Sequence, residues 1–149
     1  LFGQTMLTEF EHSIIKKLDT KEVVTCADLN ECYYRLSKKY NGNTFIDDEM
    51  IQYDWCKVPH FVMQDTYYVY QYAIGIAIAT NLAYRILEKE QGIVEKYKQF
   101  LALGNRVSIK ESLELLGIDL ECGEYINSTT KVMHNKIEEM KELVKQKNK

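Results

Sequence analysis

The sequence predicts an all-α fold, a helical bundle formed as a single unit over residues 1–149. A single proline occurs in the 149 residues, and proline is the residue that most strongly ends a helix. Apolar side chains recur at the three- and four-residue spacing of amphipathic helices through most of the chain. Helix-capping residues precede several of these segments and glycines follow them, so the start and stop signals agree with the apolar spacing.

The first two helices are predicted from spacing and from caps. Residues 2–18 place an apolar residue at every fourth position, with charged residues on the other side. Thr25 is followed three residues later by Asp28, which is typical of a capping box. The second helix is therefore expected to begin after Thr25 and to run to about Tyr40, because the Asn-Gly pair ending at Gly42 permits a left-handed residue.

The middle of the chain predicts a third helix and then a long central one. The third is expected to begin near Asp47 or Asp48 and to stop before Pro59. Residues 66–90 are apolar nearly all the way round, which predicts a helix buried at the centre of the molecule. The alternation around Gly75 would also suit a strand, but the length and the alanine content favour a helix.

Three further helices complete the prediction. One covers residues 93–103, and a second begins at the capping box of Ser108 and Glu111 and ends at Gly117. The last covers about 125–145, and we expect its apolar face to pack on its own domain. That face consists of Ile126, Val132, Met133, Ile137, Met140, Leu143 and Val144.

Composition excludes several classes of function. With 19 Lys and Arg against 22 Asp and Glu, the net charge is −3, so no basic surface for nucleic acid is expected. No secretory leader is recognised, and the longest apolar run, residues 73–79, is far shorter than the ~20 residues of a membrane span. Neither nucleic acid nor a membrane is expected as a partner. The four cysteines form no CxxC pair, which favours a reducing, cytoplasmic location; they are Cys26, Cys32, Cys56 and Cys122.

No complete active-site motif is present. The sequence contains no HExxH, no glycine-rich phosphate loop and no GxSxG, and the three histidines His12, His60 and His134 are too scattered to predict a metal site. The unusual feature is His60, which follows the only proline and precedes four tyrosines within six residues: Tyr67, Tyr68, Tyr70 and Tyr72. Each of these aromatics taken singly is more typical of a core. Together, an imidazole and phenols that face one cleft can donate hydrogen bonds to a developing oxyanion.

Several short motifs occur in a particular order: Gln4-Thr5-Met6, Leu29-Asn30, Trp55, Pro59-His60-Phe61, Tyr68-Val69-Tyr70-Gln71-Tyr72-Ala73 and Ser112-Leu113-Glu114-Leu115-Leu116-Gly117-Ile118-Asp119. In this order they resemble the C-terminal part of oligoendopeptidase F, in the thimet-oligopeptidase-like family of zinc metallopeptidases. The resemblance covers most of the chain.

The resemblance implies a large, mostly helical, zincin-like peptidase with a deep channel that admits peptides but not folded proteins. It also implies a zinc ion held by an HExxH helix and a later glutamate, all upstream of the matched part. We therefore expect this chain to hold no metal ligand, to bind no zinc and to be inactive alone. Its expected partners are an oligopeptide substrate and the missing N-terminal part, and uncovered internal surface is expected to favour self-association.

The resemblance also implies roles for individual residues. His60 becomes the group that positions the substrate, Tyr70 the oxyanion donor and Tyr67 a supporting contact. Residues 62–66 make the spacer before the tyrosines longer than the family pattern leads us to expect. Which of Tyr67, Tyr68 and Tyr70 faces the substrate therefore stays open.

A second hypothesis is a stand-alone helical interaction module without catalysis. It requires no metal motif and would use the apolar face of the last helix to bind a partner or a second copy. Only the peptidase hypothesis demands a further N-terminal part.

Overall fold

The structure is a computed structural model that describes residues 1–46, 48–63 and 67–147. Within these residues all regular structure is helical and no strand occurs, which confirms the predicted all-α class. The α-helices are α1 (Phe2–Asp19), α2 (Cys26–Asn41), α3 (His60–Met63), α4 (Tyr70–Leu87), α5 (Ile93–Leu103), α6 (Ile109–Leu115) and α7 (Glu124–Lys147). Two 3-10 segments lie between α2 and α3, at Gly42–Thr44 and Glu49–Lys57.

The chain divides into two compact units, Leu1–Ala73 and Ile74–Lys149. The first contains α1, α2, both 3-10 segments, α3 and the first turn of α4. The second contains the rest of α4 and α5 to α7. A single structural unit over residues 1–149 stays a prediction.

The core of the first unit lies where α1 and the Glu49–Lys57 segment pack on α2. Its buried centre consists of Phe10, Cys32, Tyr33 and Leu36. Phe10 meets the edge of Tyr33 with ring centroids 5.4 Å apart, and it also contacts the rings of Trp55 and Phe61. The helical spacing of 2–18 thus predicted the burial of Phe10 correctly, but Phe2 and Leu18 are exposed and Glu11, expected on the solvent side, is buried.

Both predicted capping boxes are present. The Thr25 side chain accepts a hydrogen bond from the Asp28 backbone N–H, and the Asp28 carboxylate accepts one from the Thr25 backbone N–H at 2.9 Å. Ser108 and Glu111 exchange the same pair of bonds at the start of α6. These reciprocal bonds satisfy backbone donors that a helix start otherwise leaves free, which explains why both helices begin where the sequence predicts.

The predicted third helix is a 3-10 helix rather than an α-helix. It begins after Asp48, whose carboxylate accepts a hydrogen bond from the Met50 N–H at 2.8 Å; the alternative start at Asp47 lies outside the described residues. Backbone hydrogen bonds between residues three apart, typical of a 3-10 helix, occur at both ends. The Trp55 indole N–H donates to Asn30 Oδ1 on α2 at 2.8 Å. This segment packs on α2.

The central helix begins later than predicted. The expected first residue, 66, lies outside the described residues, and α4 begins at Tyr70. Tyr67 has a φ of 61°, a left-handed backbone that cannot continue a right-handed helix through this position.

The prediction that this helix is buried all round was wrong for this chain. Ala77 and Leu82 are buried, whereas Ile76, Tyr84 and Leu87 are exposed. A Cβ placed on Gly75 would meet nothing within 4 Å, so no neighbouring backbone approaches there within the described structure. The described chain therefore covers only one side of an apolar helix.

In the second unit, α5 packs with α6 and α7 contacts α4. The buried Thr129 hydroxyl of α7 donates to the Ala77 carbonyl of α4 at 2.7 Å. Arg85 donates to both carboxylate oxygens of Glu90, at 2.7 and 2.6 Å, and to the Leu116 carbonyl at 2.8 Å. These bonds tie α4 to the segments that follow it.

The prediction that α7 packs its apolar face on its own domain was wrong for most of that face. Tyr125 and Thr129 are buried, but five residues of the predicted face are exposed: Ile126, Ile137, Met140, Leu143 and Val144. Ion pairs three residues apart, such as Lys136–Glu139 and Lys141–Glu138, also lie along this helix. The helix is amphipathic as predicted, and its apolar side has no cover in the part of the chain that the structure describes. Of the helices in that part, none combines the length and apolar character needed to cross a bilayer.

Candidate functional site

His60 is the centre of an aromatic cluster in the first unit. It is the first residue of α3, directly after Pro59. Its imidazole stacks on the Tyr68 ring, with centroids 5.1 Å apart and planes 10° from parallel. The ring of Tyr72 meets the imidazole edge-on at 5.9 Å. The imidazole is thus held on a face and at an edge by two phenols.

The two phenols also hold each other. The rings of Tyr68 and Tyr72 meet edge-on at 5.7 Å. A hydrogen bond between their hydroxyls raises the pKa of Tyr72 above its usual range. The three rings of His60, Tyr68 and Tyr72 are named the His60 cluster below.

Tyr70 lies outside this cluster. It is the first residue of α4 and 40% exposed, and its ring does not meet the imidazole of His60 in the described structure. Within the described residues its hydroxyl meets no hydrogen-bond partner, so it is free to donate to a ligand.

Tyr67 points to a different neighbour. Its hydroxyl lies 3.1 Å from Nδ1 of His12, within hydrogen-bond distance, and its backbone N–H donates to Glu11 Oε1 at 2.6 Å. Both partners are consecutive residues of α1. The structure therefore brings His60 together with Tyr68 and Tyr72. Tyr67 instead contacts two residues of α1.

A zinc centre does not fit these residues. Zinc in proteins takes Cys, His, Asp or Glu ligands, usually three or four of them. Within residues 1–46, 48–63 and 67–147 no group of three such side chains lies close enough to hold a metal ion. The neighbours of His60 are phenols, which are not in that ligand set.

Sequence reasoning missed Tyr72 as a member of the site, and it missed Glu11 and His12 as partners of Tyr67. Tyr68 and Tyr72 lie four residues apart, the spacing of one helical face, although Tyr68 itself precedes α4. The contacts of Glu11 and His12 with Tyr67 join positions 56 and 55 residues apart in sequence. No local pattern could have found those two contacts.

Comparison with known proteins defines the class. The sequence profile of peptidase family M3 matches residues 1–147. The chain therefore belongs to peptidase family M3.

The relatives within this family agree with the resemblance seen in the sequence. Oligopeptidase PepF of Bacillus subtilis (strain 168) is 38% identical over 144 residues, which are 97% of this chain and 21% of that protein. Group B oligopeptidase PepB of Streptococcus agalactiae is 35% identical over 144 residues, 97% of this chain and 24% of that protein. The crystal structure of oligoendopeptidase-F from Enterococcus faecium matches with a TM-score of 0.91 at 31% identity, over 98% of this chain and 28% of that chain. The chain thus spans about a quarter of the length of these relatives.

Proposed function

We propose that this chain is the C-terminal part of a zinc metalloendopeptidase that hydrolyses short peptides. In this proposal it supplies the wall of the active site that binds substrate and stabilises the oxyanion, while the HExxH zinc site lies elsewhere in the protein. The observation that carries the proposal is the His60 cluster, in a chain that belongs to peptidase family M3. The relatives' greater length is consistent with zinc ligands outside these residues.

His60 positions the substrate backbone. An imidazole can both donate and accept hydrogen bonds, which suits the alternating N–H and C=O groups of a peptide. Because Tyr68 and Tyr72 contact its face and edge, the ring is held in one orientation before substrate arrives. Because the imidazole is already ordered, substrate binding does not have to order it, and the binding energy can orient the substrate.

Tyr70 donates to the oxyanion. Peptide hydrolysis passes through a tetrahedral intermediate whose oxygen gains negative charge, and a donor aimed at that oxygen stabilises it. The Tyr70 side chain is exposed and its hydroxyl is without a partner in the described chain, whereas the rings of Tyr68 and Tyr72 pack against His60 and against each other. Tyr67 keeps the role of a supporting contact, from a hydroxyl that already lies beside His12.

The remainder of the same protein is the first partner in this proposal. It provides the zinc ligands and covers apolar surface that this chain leaves exposed on α4 and α7, at Ile76, Leu87, Ile137 and Leu143. Without that cover we expect the isolated chain to self-associate. All four cysteines are free thiols, which supports a reducing, cytoplasmic location.

The test compares the whole protein with the 149 residues alone, using a fluorogenic short peptide and a metal assay on both. We expect the whole protein to cleave the peptide and to lose this activity when zinc is chelated. The 149 residues alone should neither cleave it nor retain stoichiometric zinc. Cleavage by the purified 149 residues together with bound zinc would overturn the proposed location of the ligands.

A stand-alone interaction module is the second candidate, favoured by the uncovered apolar side of α7. Reading the coding DNA for several hundred codons upstream of Leu1 separates the two. An open frame that encodes HExxH and a later glutamate supports the peptidase. A start codon directly before Leu1 supports the module.

A further inference from the structure

Tyr67 has an unusual backbone for a bulky residue. Its φ of 61° lies in the left-handed region that favours glycine. Such conformations persist where surrounding contacts impose them, and they concentrate at functional sites. The next residue is Tyr68, whose ring stacks on His60, so the strained position lies at the edge of the proposed site.

Two consecutive residues of α1 contact Tyr67, one at its backbone and one at its side-chain hydroxyl. Glu11 accepts the Tyr67 backbone N–H at 2.6 Å, a short bond to a charged acceptor. His12 lies 3.1 Å from the Tyr67 hydroxyl. The backbone and the phenol of one residue are therefore both held by the same turn of α1.

Glu11 is itself exceptional, because it is a buried carboxylate with only 8% of its surface exposed. Its second oxygen, Oε2, is buried and has no partner within the described residues. Its other oxygen, Oε1, accepts the backbone N–H of the strained Tyr67.

We propose that Glu11 and His12 are positioning residues for the His60 cluster. By holding Tyr67 in the left-handed conformation, they set the direction in which the chain enters α4. That direction places Tyr68 and Tyr72 against His60 and leaves the Tyr70 hydroxyl free. The inference rests on the proposed function, since it assigns these residues to the substrate wall.

The first arm of the test uses kinetics of the whole protein with a short peptide substrate. Glu11→Ala should lower kcat about 10- to 100-fold, because small displacements of catalytic groups cost that much. Glu11→Gln, which keeps an acceptor oxygen, should retain most of the activity. Asp19→Ala, an exposed acidic residue on the same helix, is the control and should behave as wild type.

The second arm asks whether Glu11 acts through the backbone of Tyr67. Tyr67→Gly removes the phenol as well as the strain, so it provides a second background for the same change. Glycine adopts positive φ without strain, so Glu11→Ala should lower kcat much less in the Tyr67→Gly background than in wild type. An equal loss in both backgrounds, with unchanged circular dichroism, would overturn the proposal.

The third arm separates this inference from the proposed function. Hydrogen exchange of residues 67–72, followed by mass spectrometry on the whole protein, should be faster in Glu11→Ala than in wild type and Asp19→Ala. Equal exchange in all three would contradict the positioning role even if the protein is an active peptidase. If exchange is faster in Glu11→Ala but the whole wild-type protein cleaves no peptide, Glu11 does hold Tyr67 and the peptidase proposal is wrong.

The role of His12 is tested by a double-mutant cycle with Tyr67→Phe. If the Tyr67 hydroxyl acts through His12, then His12→Ala and Tyr67→Phe should each cost the same and the double variant no more. Additive losses would contradict the assignment of His12 and would favour direct contact of Tyr67 with substrate.

Discussion

The imidazole of His60 lies flat against the phenol ring of Tyr68, with centroids 5.1 Å apart. These residues belong to different segments, since His60 begins α3 and Tyr68 precedes α4. Directly before Tyr68, Tyr67 has a left-handed φ of 61°. The arrangement of side chains in the proposed site therefore depends on the direction of the backbone as well as on the residue types.

Loss of this stack should impair activity in the whole protein. Aromatic pairs contribute about 0.5–1.5 kcal/mol beyond their buried area, so Tyr68→Leu should lower kcat/KM by roughly 2- to 10-fold. Tyr68→Phe keeps the ring and should lose less. Tyr84→Phe, an exposed tyrosine further along α4, is the matched control. Equal rates for Tyr68→Leu and wild type would show that the stack does not orient His60.

Alkaline pH should weaken the contact between α1 and α2. Burial, followed by a hydrogen bond to Glu9, raises the pKa of Tyr40 from its ordinary 10.0 to about 12. The folded state thus holds this proton more tightly than the unfolded state. The stabilisation is complete below pH 10 and is lost as pH rises from 10 towards 12. The free energy of unfolding, measured with urea across this range, should decline more steeply with pH for wild type and Tyr53→Phe than for Tyr40→Phe. Parallel declines in the three proteins would contradict this role of Tyr40.

Acid should weaken the start of α2. Hydrogen bonds from the Thr25 hydroxyl and backbone N–H, followed by the bond from Lys17, hold the pKa of Asp28 well below its ordinary 3.8. The stabilisation is therefore present above pH 3.8 and is lost as pH falls below that value. Asp28→Asn should lower Tm at pH 7 and reduce the difference in Tm between pH 7 and pH 2. A variant whose Tm falls with acid as steeply as wild type would contradict this role.

Gly75 offers a test of the uncovered side of α4. A glycine inside a helix is less stable than alanine by about 0.5–1 kcal/mol, and a Cβ here meets nothing within 4 Å. Gly75→Ala should therefore raise the free energy of unfolding of the 149-residue chain by about that amount. Gly92, with a φ of 77°, is the contrast, and Gly92→Ala should lower it by about 1–2 kcal/mol. At concentrations where the chain is monomeric, destabilisation by Gly75→Ala would mean that other residues of the chain cover this face.

Local chemistry made much of the fold predictable. The capping boxes at Thr25 and Ser108 mark the starts of α2 and α6, because the bonds they form lie within four residues. The glycine after α5, Gly104, marks its end for the same reason. The 3-10 geometry of Glu49–Lys57 was not predicted, since the apolar spacing and the caps indicate a helix without distinguishing 3-10 from α.

Burial and the site were less predictable for a related reason. An apolar pattern shows that Ile76 and Leu143 need cover, but it does not show where in the protein that cover comes from. The spacing of the tyrosines indicated shared faces, whereas the bond from Tyr67 to Glu11 joins distant positions. Which of the tyrosines faces the substrate stays a prediction.

The most direct test of the central proposal is the steady-state hydrolysis of a short peptide by the whole protein carrying Tyr70→Phe. If Tyr70 donates to the oxyanion, kcat should fall about 100- to 1,000-fold, or about 2.7–4 kcal/mol in the transition state. KM should change little, since the bond forms mainly in the transition state. The same measurement on Tyr72→Phe and Tyr84→Phe supplies the contrast. Normal turnover by Tyr70→Phe would contradict the assignment, and a large loss in Tyr72→Phe instead would move the donor into the His60 cluster.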